Sequence, residues 1–400
     1  MRANLSTTGD GVDVVEAQYD NTSHRPNAVT IVANEVGSGG GMERQLMNLV
    51  NGLVRRGYPT TVISRECSSR THPLVTFVKV RGPRRPFVVA YPVFALVASW
   101  KLLRHRKGLV HVTGAIVFPK ADVVTVHLCH HAVARIAGLV RTRSASRIGR
   151  THARIAAAFS RRGERWAYRS GRLRRMVSVS DGGRRELVAA FPELAEIVVT
   201  IPNGVDVPAV GQRDVEGWRP PPHLSGGAPV AAFVGSEWEG KGLRHAIAAL
   251  AHAPTWHLVV VGRGDQPRYE RIAEKLDVGD RVHFCGWQDE MAPIYARADV
   301  FVLPSSYETF SLVTFEAAAA GLPLLVTRVS GVEEILEDDV TGWGITQDGH
   351  DIANRLRLLS NDRVRLRLGA AARTAAARYS WDRMVEQYIA LYRELANEPR

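Results

Sequence analysis

Glu308 and Glu316, eight residues apart in SSYETFSLVTFEAAAAGLP (residues 305–323), are the sharpest chemical signal in the chain. Eight residues is slightly over two helical turns. With Glu308 in a loop after the strand-like ADVFVLPS and Glu316 one turn inside a helix starting near Ser311, both carboxylates can face one cleft. A carboxylate near a helix N-terminus can accept two hydrogen bonds from a vicinal diol. The free amides of residues 310–313 (Phe310, Ser311, Leu312, Val313) then remain for phosphate or sugar oxygens. Two idle surface glutamates fit less well, because Glu316 interrupts an apolar run and an unpartnered buried carboxylate is costly.

Two glycine-rich turns add backbone donors. The first, GSGGGMER (residues 37–44), lets a ligand approach the backbone at Gly39, Gly40 and Gly41. It is not a dinucleotide fingerprint, since the next strand ends at Ser64 and Arg65 rather than at an acid. The second, GSEWEGKGL (residues 235–243), puts Lys241 at the start of a helix, where an ammonium joins the helix-end amides against a phosphate. Gly240 and Lys241 have the spacing of a nucleotide-hydrolase loop, but Gly242 stands where Ser or Thr should hold Mg²⁺, which disfavours that class.

The elements that must position these groups form two series. AVTIVAN (28–34) reads as a buried strand, a helix follows the first glycine turn, and TTVIS (60–64) is the next strand, which makes a βαβ unit. Further short strands at 75–80, 109–112, 123–126, 176–179 and 197–201 continue it. A Pro/Gly-rich stretch at 209–227 reads as a linker, and the pattern restarts with VAAFV (230–234). The expected fold is α/β, with two Rossmann-like doubly wound domains facing a central cleft. Expected boundaries are a disordered tail at 1–27, a first domain at 28–208, a second at 209–379, and a terminal amphipathic helix at 380–400 capped by Ser380.

Composition narrows the class. At 400 residues with 45% hydrophobic and 23% charged, the chain is of ordinary globular type and long enough for two or three cores. No uninterrupted apolar run reaches the roughly 18–20 residues of a bilayer span, and no leader-like segment opens the chain. Three scattered cysteines suggest neither a disulfide framework nor zinc, which fits a reducing cytosol. Residues 1–208 hold 31 Lys and Arg against 14 Asp and Glu, net +17, whereas residues 209–400 are net −5. Thirteen arginines lie within 135–175, a block that attracts an anionic partner or is a solvated face. Aromatic platforms are sparse there, Trp166 and Tyr168 alone, so nucleic acid is not expected. The apolar stretch 86–100, flanked by Arg84, Arg85 and 101–107, has the length of a core helix and the flanks of an interfacial one; a core role is expected. His127, His130 and His131 are close in sequence, but no carboxylate is nearby and no metal is expected.

Taken together, the motifs resemble the retaining GT-B glycosyltransferases of glycosyltransferase family 4, over about residues 28–395. The E-x7-E pair matches Glu308 and Glu316, the surrounding block matches 304–323, and SGVEEILEDDVTGWGI (330–345) resembles the next donor-side block, with Glu334 on its glutamate. VSVSDGGRREL and VVTIPNGVDV look like the interdomain segment, and YSWDRMVEQY like the helix that crosses back. GSEWEGKGL with GGMERQL looks most like glucosyltransferases of the lipopolysaccharide core.

The resemblance implies that Glu316 binds the ribose hydroxyls of a nucleotide sugar. Glu308 and the amides of Phe310, Ser311 and Leu312 would bind the hexose, and Lys241 with amides at Gly40, Gly41 and Val313 the diphosphate. Trp287 would mark the base site, and His127 would lie near the sugar's primary hydroxyl and the reaction centre. Ser236 stands where most members have an arginine, so Arg44 or Arg244 would supply that cation; Thr309, Ser311 and Asp339 stand where glycines are common. The expected activity is hexosyl transfer with retention from a nucleoside-diphosphate sugar, UDP favoured over GDP, to a glycan, lipid-linked or small-molecule acceptor. No cofactor or metal is expected, the nucleotide sugar being a substrate. The expected location is cytoplasmic, peripheral on an anionic inner membrane face. The alternatives are a GT-B sugar-nucleotide epimerase and a non-enzymatic anionic-surface binder.

Overall fold

The computed structural model describes residues 28–135, 147–207 and 227–398. The expected tail at 1–27 and nearly all of the expected linker lie outside them. The first series runs β1 (Val29–Val32), α1 (Gly41–Arg55), β2 (Thr60–Ser64), β3 (Val75–Lys79), α2 (Phe87–His105), β4 (Leu109–Thr113), β5 (Val123–Val126), α3 (His130–Arg135), α4 (Arg147–Ala167), β6 (Arg175–Ser178), α5 (Asp181–Ala190) and β7 (Val198–Thr200). The second comprises β8 (Val230–Val234), α6 (Leu243–Leu250), β9 (His257–Val261), α7 (Gln266–Lys275), β10 (Val282–Gly286), α8 (Ala292–Arg297), β11 (Val300–Leu303), α9 (Leu312–Ala319), β12 (Leu324–Val326), β13 (Gly342–Gly344), α10 (Gly349–Leu359), α11 (Asp362–Ala376) and α12 (Trp381–Asn397).

Each series closes into its own parallel sheet, ordered β3-β2-β1-β4-β5-β6-β7 and β10-β9-β8-β11-β12-β13. Helices cover both faces of such a sheet, which is why β1, β4, β5, β8 and β11 are buried end to end. Strand order reverses between β1 and β4 in the first sheet and between β8 and β11 in the second. A crevice opens at the carboxyl ends of the strands at such a reversal. Both glycine-rich turns and the Glu308 loop follow these strands directly.

Helix α12 packs on the first domain. At Gly52 of α1 a Cβ would overlap Val385, so the two helices touch backbone to side chain there. Beneath them, His111 shares hydrogen bonds with Tyr392 (2.6 Å) and Thr125 (2.8 Å), and Thr125 with Tyr388 (2.9 Å). Burial pushes the His111 pKa down to about 3, so it is neutral in this network. Where the two crossing segments run side by side, the Val205 amide donates to the Tyr379 carbonyl at 2.7 Å.

One expectation needs correction. Stretch 86–100 is not a core helix: α2 spans 19 residues, and only a third of it is buried. Its inner face (Ala90, Phe94, Ala98, Leu102) enters the core, while Val89, Leu96, Trp100 and Leu103 stay exposed along one outer stripe. Among the described helices it alone is long and apolar enough to cross a bilayer, by length and composition. The end of the arginine block is paired within the chain. Arg174 and Arg175 are held by Glu398, and Arg175 also by Glu394, so they tie β6 to α12.

Candidate active site

Strand β8 ends at Gly235, and the Lys241 side chain lies across it: a Cβ there would stand 3.4 Å from Lys241 Cγ. Lys241 Nζ donates to Glu308 Oε1 at 2.5 Å, and Ser305 Oγ donates to the same oxygen at 2.8 Å. The amide and hydroxyl of Ser306 both donate to the Gly240 carbonyl at 2.9 Å, which fastens the lysine turn to the glutamate loop. Gly242 shows why no hydroxyl residue stands there. Its φ is +76°, and a Cβ would overlap the Pro304 carbonyl. Ser236 lies in the same turn beside Gly262.

Glu316, on α9, is mostly buried with its side chain 13% exposed, and meets the other domain. Arg44 Nη1, from the first turn of α1, donates to Glu316 Oε1, and Tyr295 donates to Oε2 at 3.2 Å. Arg44 Nη2 also donates to Asp206 at 3.0 Å. Burial outweighs these contacts at Glu316 and holds its carboxyl above the ordinary range. Arg44 is more exposed and serves two carboxylates, which more than offset its own burial; its pKa is raised, so it is charged. Glu308 and Glu316 therefore flank the start of α9, each held by its own cation.

Of the turn amides, those of Phe310, Ser311 and Val313 have no backbone partner among the described residues. Leu312 differs from the expectation, since its amide donates to the Phe310 carbonyl at 3.0 Å. Leu312 instead closes the gap between domains through its side chain: a Cβ on Gly41 would stand 3.1 Å from Leu312 Cδ1. Gly40 precedes the first turn of α1. Its φ of −169° is open to any residue, and the space above it is taken by the Glu43 carboxylate. Trp287 is half-exposed after β10, with Arg263 stacked 4.9 Å from its ring and Nε1 on Asp289. Asp339 takes φ +61°, which explains why glycine suits that position, and accepts from Trp343 at 2.7 Å. Glu334 accepts the Asp181 amide at 2.7 Å and so braces α5 against the second domain.

His127 makes no side-chain hydrogen bond to Lys241, Glu308 or Glu316. It lines a cavity of about 480 Å³ in the first domain, and both its ring nitrogens are buried without a hydrogen-bond partner among the described residues. Burial pushes its pKa down to about 4, so it is neutral at pH 7. The neighbouring histidines do have a carboxylate, contrary to expectation: Glu164, 33 residues from His131, accepts its Nδ1 at 2.7 Å and the amides of His130 and His131. No group of three or more His, Cys, Asp or Glu side chains among the described residues is placed to hold a metal. Sequence reasoning missed Tyr295, Asp206, Ser305 and Glu164. The roles of Tyr295, Asp206 and Glu164 arise from contacts between segments remote in sequence, for which no local pattern exists, whereas Ser305 acts on Glu308 three residues further on.

Two facing parallel-sheet domains, with the charged groups at both strand-order reversals, define the GT-B fold. The lipopolysaccharide glycosyltransferase WaaG superimposes with a TM-score of 0.73 at 21% identity, over 91% of this chain and 99% of that one. Sucrose-phosphate synthase from Thermosynechococcus elongatus gives 0.72 at 21% identity, over 92% and 99%. Residues 39–208 match the family described as Glycosyltransferase Family 4, and residues 228–362 that described as Glycosyl transferases group 1. The chain belongs to the family 4, group 1 glycosyltransferases.

Among relatives, an uncharacterized glycosyltransferase of Methanocaldococcus jannaschii is 26% identical over 88% of this chain and 94% of its own length. The lipopolysaccharide core biosynthesis glycosyltransferase LpsE of Rhizobium meliloti is 31% identical over 43% of this chain and 51% of its own. The D-inositol 3-phosphate glycosyltransferase of Corynebacterium urealyticum is 37% identical over 32% of each.

Proposed function

We propose that this glycosyltransferase moves a hexosyl unit from a UDP-sugar to an acceptor hydroxyl with retention and without a metal ion, in cell-envelope or glycoconjugate synthesis. The observation that carries the reading is the Lys241–Glu308 pair beside the open amides of Phe310, Ser311 and Val313. A cation and oriented donors at a phosphate are what the departing diphosphate requires as its charge grows. The bond from the anomeric carbon to the β-phosphate oxygen breaks, the acceptor oxygen bonds to that carbon, and the acceptor proton passes to the departing phosphate. Glu308 holds the sugar, Glu316 the ribose, and Gly40 and Gly41 offer amides from the facing domain.

Metal independence follows from Lys241 and from Gly242, which carries no hydroxyl for Mg²⁺. UDP is favoured because the structural neighbour HepE of Anabaena was solved with UDP-glucose, at a TM-score of 0.64 and 19% identity. The exposed apolar stripe of α2 lies among Arg84, Arg85, Lys101, Arg104, Arg106 and Lys107, which supports peripheral binding to an anionic membrane. The test is a panel of UDP-, GDP- and ADP-sugars, scoring slow hydrolysis without acceptor and the anomeric proton of the product by NMR. Hydrolysis of a UDP-sugar with retained configuration, persisting in chelator, is expected; an inverted product overturns the mechanism.

A further inference from the structure

The cavity around His127 sits at the carboxyl ends of β1, β4 and β5, on the side of the cleft opposite Lys241. It reaches the glycine-rich turn through Met42. Its walls are mostly apolar: Phe87, Tyr91 and Phe94 from α2 face Ile116 and Met42. The rings of Phe87 and Tyr91 stack at 5.4 Å, and Tyr91 meets Phe159 of α4 edge-on at 6.1 Å. Both Phe87 and Phe159 are exposed, so the aromatic wall continues to the surface between α2 and α4.

At the side of the cavity stands a buried cation that makes no ion pair among the described residues. Arg65 is only 6% exposed, and its Nε, Nη1 and Nη2 donate to Asn34 (3.1 Å), the Gly82 carbonyl (2.9 Å) and the Pro83 carbonyl (2.9 Å). All three acceptors are neutral, and each terminal nitrogen keeps one N–H over. No carboxylate among the described residues lies within ion-pair distance. Burial and the neighbouring Arg84 push the Arg65 pKa down, and the more distant Glu35 only partly offsets them. The cavity's carboxylates each contact another group. Glu35 lies 3.7 Å from Arg84, and Glu164 holds the His130 and His131 amides and the His131 ring.

We propose that this cavity receives an anionic amphiphile as the acceptor: an apolar body against Phe87, Tyr91, Phe94 and Ile116, an acidic group on Arg65, and a hydroxyl on the otherwise unpartnered His127. The volume suits a small organic body rather than an extended glycan. A buried guanidinium with open donors favours carboxylate or phosphate over a neutral polar group. This rests on the glycosyltransferase reading and names the class of its acceptor.

The test is titration calorimetry of the full chain, saturated with UDP, against octyl glucuronide, octyl glucoside, methyl glucuronide and methyl glucoside, the octyl compounds kept below micelle formation. Octyl glucuronide is expected to bind at least about tenfold tighter than octyl glucoside and than methyl glucuronide, the scale of one charged hydrogen-bonded contact and of a buried apolar chain. Arg65→Gln should remove the first advantage, and Ile116→Trp, which fills the cavity, the second. UDP affinity on the same samples reports a folded donor side. Equal binding of the four glycosides, or tightest binding of methyl glucoside, by the unsubstituted chain overturns the inference whatever the variants do.

Absence of UDP binding refutes the functional reading instead. Phosphatidylcholine vesicles doped with a dialkylglycerol glucuronide separate the two sources of such an amphiphile. Co-sedimentation competed away by octyl glucuronide assigns a membrane-borne acceptor, and tight octyl glucuronide binding without vesicle binding assigns a free one.

Discussion

Replacing Glu316 by alanine should weaken UDP binding by an amount the site geometry sets. Its Oε1 accepts from Arg44 and its Oε2 from Tyr295 at 3.2 Å. An ionised carboxylate offers about four lone-pair sites, so each oxygen keeps one for a ribose hydroxyl. A hydrogen bond to a charged acceptor nets about 1.5–3 kcal/mol. One such bond is taken as lost in full, because the oxygen shared with Arg44 is the weaker acceptor. About 2 kcal/mol corresponds to roughly a thirtyfold rise in Kd for UDP, measured by titration calorimetry.

The raised carboxyl pKa adds a pH signature. Binding should weaken as pH falls through a pKa higher than that of an exposed glutamate. For stability the sign is opposite to that of an ordinary carboxylate. The folded chain binds this proton more tightly than the unfolded one, so the group's contribution is present at low pH and lost as pH rises through the folded pKa. Glu316→Gln should therefore keep or raise Tm at pH 7 without nucleotide. A folded Glu316→Ala variant with unchanged UDP affinity, or wild-type affinity that rises on acidification, would refute the assignment.

Lys241→Ala should lower turnover at saturating donor by about a hundredfold or more, and near-normal turnover would remove Lys241 from the leaving-group role. Gly242→Ala should cost about 2 kcal/mol or more in urea unfolding, because a left-handed backbone meets the Pro304 carbonyl; an unchanged midpoint would show that the turn relaxes. Vesicles containing anionic lipid should co-sediment the chain at low salt and release it at high salt, each basic residue contributing on the order of 1 kcal/mol. Binding indifferent to salt and lipid charge would remove the electrostatic anchor.

Much of this was legible before any coordinates. Period and punctuation located all seven strands of the first sheet: TTVIS and 123–126 coincide with β2 and β5, because short β-branched runs between glycines have few other conformations. The E-x7-E spacing and Lys241 were legible as charged groups at strand ends, since local chain geometry alone puts them there. Stretch 86–100 was misjudged because composition reports how apolar a helix is, not which of its faces finds a neighbour.

Pairing was decided by tertiary structure alone. Arg44 reaches Glu316 across 272 positions, and Lys241 reaches Glu308 across 67. Glu164 meets His131, while Arg65 is left buried with no ion pair among the described residues. A residue's type and local spacing follow from its immediate neighbours in the chain. Which charge it meets, and whether water is excluded there, depends on two sheets and a returning helix closing against one another, and on contacts whose energies exist only once that closure has occurred.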